Sequence, residues 1–303
     1  APLPLVFHLG HQSYKTYGWY AVTVNISDLA AGGAEPLAFS TSVEAPPTML
    51  IEDFREFFQG VTDACKLYGA WISGGNIRGA PRFECHGTAI GITRHTEAFS
   101  RKSLGSGDTI ISIGNSGLFM SSALKVSTGL CTIDALSKRQ SESLFRPVAR
   151  IYESRILAEL GMVTGAADNS DGLLMSLYLM SERSNVDIEI DMDNIDLDPS
   201  VIEVANLLKC NPWNLVMSWG DYQLVVAVKE SAVDTVRSKL DAIGSPYVVL
   251  GRVHDGTGKV WGKTSHNRKL FRRLGNENFS KSSYNEVPIA DLLKGIAYGD
   301  LYI

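Results

Sequence analysis

Early in the chain the apolar residues twice fall on one face of a helix. Trp19, Val22, Ile26 and Leu29 recur three or four positions apart and Gly32-Gly33 follows as a stop. That spacing predicts a helix, although the β-branched Val22-Thr23-Val24 pulls towards strand. Asp28 falls away from the apolar stripe and is free to face a cleft. Leu50, Phe54, Phe57, Phe58, Val61, Cys65 and Tyr68 mark a second amphipathic helix, ending at Gly69. The period then changes. Phe83, Cys85, Gly87 and Ala89 alternate with Glu84, His86 and Thr88, which is the spacing of a strand.

From Ser103 to Asp108 the composition turns to Gly and Ser, and the apolar run Thr109 to Ile113 starts a new series. This places a domain boundary there, with residues 1–102 forming an N-terminal unit and 103–303 a C-terminal one. Beyond it the pattern predicts a helix around Val148 to Leu160, a turn through Asp168-Asn169-Ser170-Asp171-Gly172, and a helix from Leu173 to about Glu182. Strands near Val186 to Ile190, Leu224 to Val228 and Tyr247 to Val253 alternate with helices, so the C-terminal unit reads as an α/β layer structure.

Composition narrows the function classes. With 303 residues, 45% hydrophobic and 20% charged, the chain is long enough for two domains with real cores. A net charge of -5 argues against nucleic acid as a partner, because that affinity needs clustered Lys and Arg. The basic run Arg268, Lys269, Arg272, Arg273 reads as solvated surface. Cys65, Cys85, Cys131 and Cys210 show no C-x-x-C spacing, so neither zinc nor a disulfide framework is expected and a reducing cytoplasm fits. No apolar run is long enough to cross a bilayer, and the first residues lack the order of a signal peptide. The chain does not begin with Met, which leads us to expect natural sequence before Ala1.

The candidate chemistry lies in carboxylates. Asp168 and Asp171, with two residues between them, converge on one hard cation if a turn brings them together, and magnesium favours such an oxygen site. Because a helix follows at once, Ser170 or Asp171 is placed as its N-cap, where free N–H groups attract phosphate. A plain helix cap with solvated acids is the other reading of the same residues. No G-x-x-x-x-G-K-[ST] loop occurs, and nothing matches the protein-kinase motif set.

Longer motifs carry a resemblance. Asn25-Ile26-Ser27-Asp28-Leu29-Ala30-Ala31-Gly32-Gly33-Ala34-x-Pro36 is similar to the N-L-S-D-L-A-A-M-G-A-x-P signature of thiamine-monophosphate kinases, members of the aminoimidazole ribonucleotide synthetase superfamily. Ser73-Gly74-Gly75-Asn76 with Arg78-Gly79 resembles G-G-D-T-x-R-G, and Thr88-Ala89-Ile90-Gly91 resembles T-A-I-G. Asp168 to Leu173 resembles D-I-S-D-G-L, and Trp219 to Leu224 resembles G-E-D-Y-E-L. The resemblance implies an α/β fold of the aminoimidazole ribonucleotide synthetase type, with an α+β N-terminal half whose strands join a second copy in a homodimer. It implies ATP and Mg2+ as cofactors and a small-molecule acceptor as substrate.

By the same resemblance, Asp28, Asn76, Asp168 and Asp171 are candidate metal ligands, and Ser170, Arg101 and Gly172 bind the nucleotide. Asp171 and Asp221 are assigned to catalysis. His8, expected just after a strand, falls on the substrate side with Gln223 and Phe279. Three positions depart from the pattern: Asn76 replaces an acid, and Gly220 and Gln223 replace glutamates. They imply that ATP use is kept and the acceptor is changed. An ATP-dependent ligase activating an amide or carboxyl oxygen, and a silent binding subunit, are the alternatives.

Overall fold

The computed structural model describes residues 3–94, 98–273 and 287–303. The N-terminal part opens with a short helix, α1 (Leu5–His8), and the long α2 (Tyr14–Ala31). These lead into β1 (Glu35–Ala45), α3 (Ile51–Tyr68), β2 (Trp71–Gly79) and β3 (Glu84–Ile92). The strands form a sheet in the order β2-β1-β3, with β1 parallel to β2 and antiparallel to β3.

The Ser13 hydroxyl caps α2 by accepting from the Thr16 N–H, and Gly69 ends α3 in the left-handed conformation. The two helices cross closely because both carry glycine at the contact. A Cβ added to Gly18 would stand 1.9 Å from the Phe57 carbonyl oxygen, and one added to Gly60 would stand 1.9 Å from that of Lys15. Only hydrogen fits there. α2 is buried on nearly all sides, including every residue from Thr16 to Thr23, whereas α3 hides Phe57, Val61, Ala64 and Cys65 and shows water its other face.

The remainder runs through β4 (Thr109–Ile113), α4 (Leu118–Ser127), α5 (Lys138–Phe145), α6 (Ile151–Leu160), β5 (Val163–Asp168) and α7 (Leu173–Ser184). It continues with β6 (Val186–Asp191), α8 (Pro199–Leu208), α9 (Pro212–Val216), β7 (Leu224–Val228), α10 (Val233–Ala242) and β8 (Tyr247–Asp255). β9 (Val260–Lys263), β10 (Arg268–Leu270) and α11 (Ile289–Tyr298) complete it. The second sheet has the order β10-β9-β6-β8-β4-β7-β5, and of its neighbouring pairs only β6 with β9 is parallel. The layers are α/β, as the pattern implies, but the sheet between them is mainly antiparallel. Central β4 and β7 are buried at all five positions because helices cover both faces of the sheet. Ile111, Val226 and Leu240 pack on one face, and the core on the other runs without a break into α2 and α3.

Polar bonds fasten α2 to this second layer. The Trp19 indole N–H donates to the Pro147 carbonyl at 2.8 Å and the Tyr20 hydroxyl to that of Leu144 at 2.9 Å. Near the end of α2, the Ser154 hydroxyl donates to the Ala30 carbonyl at 2.6 Å. These bonds bring the last turn of α2 beside the end of β5.

Candidate active site

Strand β5 ends at Asp168 and α7 begins at Leu173, so residues 169–172 form the turn between them. Gly172, not Ser170 or Asp171, is the N-cap of α7, and no side chain caps this helix. The reason is steric. Gly172 has φ +106°, and a Cβ on it would come within 3.2 Å of the Met217 carbonyl oxygen, so the chain turns there on glycine. Ser170 and Asp171 are thereby left on the exposed side of the turn.

Asp168 is 5% exposed and is the centre of the group. Its Oδ2 accepts from the Ser27 hydroxyl at 3.3 Å and from the Ser170 N–H at 3.4 Å, and its Oδ1 lies 3.6 Å from the Arg101 guanidinium. Asp28 keeps access to solvent but is crowded by protein. That crowding, followed by the charge of Asp168, pushes its carboxyl up to about 6, against a smaller opposing pull from Arg101. Asp171 is raised for the same two reasons, burial first and Asp168 second. Three carboxylates thus share one field with a single guanidinium, an excess of negative charge that favours a cation or a proton.

Behind the turn lies a latch that the sequence did not reveal. The Asn169 carboxamide accepts from the Gln223 N–H at 2.6 Å and donates to the Gln223 side-chain oxygen at 2.8 Å, while the Asn169 N–H donates to the Gln223 carbonyl at 3.1 Å. Gln223 also accepts from the Ser112 hydroxyl at 3.0 Å and donates to that of Ser116 at 2.7 Å. The aspartate turn is held from both β4 and β7.

The AIR synthase related N-terminal domain matches residues 4–93, and the AIR synthase related C-terminal domain matches residues 105–263. The chain belongs to the AIR synthase related family. A thiamine-monophosphate kinase from Methanospirillum hungatei is 30% identical over 239 residues, which cover 79% of this chain and 74% of the relative. Among solved structures, a thiamine-monophosphate kinase from Stenotrophomonas maltophilia has a TM-score of 0.75 at 23% identity, covering 83% of this chain and 79% of that one. AaThiL, complexed with AMPPCP and TMP, has a TM-score of 0.72 at 23% identity, covering 86% and 81%. The two structures share the fold with this chain.

The remaining candidate residues of this AIR synthase related chain lie as follows in the fold. Asp221, assigned to catalysis, is buried, and its carboxylate accepts from the Gly117 N–H at 2.7 Å and the Phe119 N–H at 2.8 Å. Those two bonds cap the start of α4. Gln223, assigned to substrate, is 1% exposed and its amide takes part in the latch. His8 closes α1, a helix packed on α5, rather than following a strand, and burial lowers its pKa. Asn76 lies on β2, opposite Ser42, and among the described residues no hydrogen bond or ion pair ties it to the aspartates. Phe279 lies outside the described residues.

Proposed function

We propose that this protein is a magnesium-dependent, ATP-using phosphotransferase whose acceptor differs from thiamine phosphate. The observation that carries the reading is the meeting of Asp28, Asp168 and Asp171 around Arg101, where α2 and the β5–α7 turn come together. The family supports an ATP-dependent kinase or synthetase, and AaThiL was captured with AMPPCP and TMP. Among the described residues, no three His, Cys, Asp or Glu side chains are gathered closely enough to hold a metal alone. The donor chemistry nevertheless fits magnesium, since the mutually repelling carboxylates are hard oxygen ligands. Asp28, Asp168 and Asp171 would hold it, with Asn76 as a weaker amide donor. Bound magnesium neutralises phosphate charge during transfer. Arg101 and the exposed turn at Ser170 would orient the polyphosphate, and Gly172 keeps that turn open.

The acceptor reading rests on position 220. A Cβ on Gly220 would stand 2.1 Å from the Phe119 ring, so a glutamate does not fit in this conformation. A cationic acceptor loses that partner. The test is ADP release with magnesium and ATP, run against thiamine phosphate and against carboxylate and amide acceptors. Release with a carboxylate or amide but not with thiamine phosphate is expected; robust thiamine diphosphate formation refutes the changed acceptor. Asn76 and the loose spacing of the aspartates favour a second reading, a silent subunit, which binds ATP but forms no ADP whichever acceptor is offered.

We further propose that residues 1–102 supply the nucleotide-facing helix and a dimer surface, and residues 103–303 the turn and its latch. β2 is exposed at all nine positions, and Trp71, Ile72, Ile77, Ile90 and Ile92 leave apolar surface bare on this sheet. A homodimer that joins these strands covers both edge and face. Light scattering at micromolar concentration should give twice the chain mass, and a monomer there removes the proposal. The four cysteines, free in the structure, suit the cytoplasm we assign it to.

A further inference from the structure

Between α9, α11 and the segment that leads to Trp219 lies a groove of about 360 Å³ whose lining includes none of Asp28, Asp168 and Asp171. Leu292 and Leu301 contribute apolar wall. Its polar atoms are unusual in being unspent. The Asn214 amide nitrogen donates to the carbonyls of Ile296, Ala297 and Gly299 at 3.1, 2.9 and 2.9 Å, which fixes the orientation of the carboxamide. Among the described residues its Oδ1 then has no hydrogen-bond partner, and neither does the Ser218 hydroxyl, although both residues are only 7% exposed. Buried polar atoms without partners are rare and costly, and a pair of them lining one groove points to a ligand. Asp291 and Asp300 line the same groove with exposed carboxylates, and among the described residues the only cation paired with either is Arg272, 3.8 Å from Asp300.

Three of these four side chains offer only acceptors in the groove, and the fourth is a hydroxyl that also accepts. We propose that the groove binds a small primary amine carried on an apolar or aromatic body, the ammonium donating to Asn214 Oδ1, Ser218 and the acidic rim. An apolar pocket with a few convergent polar atoms is the usual form of a small-molecule site. A carboxylate of the same shape meets one hydroxyl donor against three acceptors, two of them anionic, and is rejected. The site does not depend on the phosphotransferase reading, because its occupancy is read without nucleotide.

Benzylamine is the probe, with benzyl alcohol and benzoate as neutral and anionic matches, each titrated by ligand-observed saturation-transfer NMR. Saturable binding of benzylamine is expected, at least about fivefold tighter than benzyl alcohol, with none for benzoate. Gly295→Leu should abolish it by filling the groove. A Cβ at Gly295 meets nothing within 4 Å, so the fold has room for the change. The double variant Asp291→Asn with Asp300→Asn provides an independent arm and should erase the preference for amine over alcohol. Absence of saturable benzylamine binding, equal binding of benzoate, or an unchanged amine preference in the double variant overturns the proposal.

Discussion

Two strand-to-helix junctions of this molecule use aspartate in opposite ways. At the start of α4, Asp221 is buried and its two oxygens are met by two backbone N–H groups. At the start of α7 no side chain caps the helix, and Asp168, Asp28 and Asp171 face one another with Arg101 as the nearby cation. Burial raises Asp221 to about 7 even so, and its amide bonds oppose that rise. The difference teaches that an acid's role is read from the donors around it. One carboxylate is met by two backbone amides of the fold, whereas we propose that the others, crowded together beside a guanidinium, serve a ligand.

The comparison breaks first, and most severely, at Asp221. Asp221→Ala leaves two buried N–H groups without partners, and each costs roughly 1–3 kcal/mol. A loss of about 2–4 kcal/mol in urea unfolding is expected, with magnesium-ATP affinity kept below the transition. Loss of nucleotide affinity in a folded variant would return Asp221 to the active site. At the other junction the effect should fall on ligand rather than fold. Asp168→Ala or Asp171→Ala should weaken magnesium-dependent ATP binding by about 30- to 100-fold, some 2–3 kcal/mol. Calorimetry that finds unchanged, magnesium-independent affinity removes the assignment.

This contrast was only half legible in the sequence. Asp28, Asp168, Asp171 and Arg101 stood out by motif, but the hydrogen bond from Ser27 to Asp168 spans 141 positions and exists only after α2 docks on the second layer. The bonds that Asp221 and Gln223 make were not legible, because the motif names residue types and not the amides that meet them. A similar limit applied to the fold. α3 was plain because one face meets water, and the apolar spacing of α2 was weak because that helix is buried on nearly all sides. β2 was invisible, since Trp71–Gly79 is glycine-rich and alternates poorly; its pairing with β1 makes it a strand. Gly18 and Gly60 gave no signal either, although the closeness of two helices depends on them.

The smallest effect sharpens the comparison most, because it reverses the usual sign of a mutation. The Asp28 carboxyl is raised from 3.8 to about 6 by burial and by Asp168, so the folded protein holds that proton more tightly than the unfolded chain does. The stability this contributes is complete below the unfolded value and is lost as pH rises through about 6. Above that, the ionised carboxylate opposes folding. Asp28→Asn removes the repulsion and should stabilise the nucleotide-free protein at pH 8 by about 1 kcal/mol, a figure kept small because solvent reaches this side chain. At pH 4 the gain should vanish. Magnesium with ATP should cancel it at pH 8, since bound cation relieves the same repulsion in the native chain and the variant has lost a ligand. Urea unfolding at the two pH values, with and without magnesium-ATP, measures all of this. A variant less stable than the native chain at pH 8 without nucleotide would show that Asp28 is a satisfied surface acid, and the two junctions would then differ only in burial.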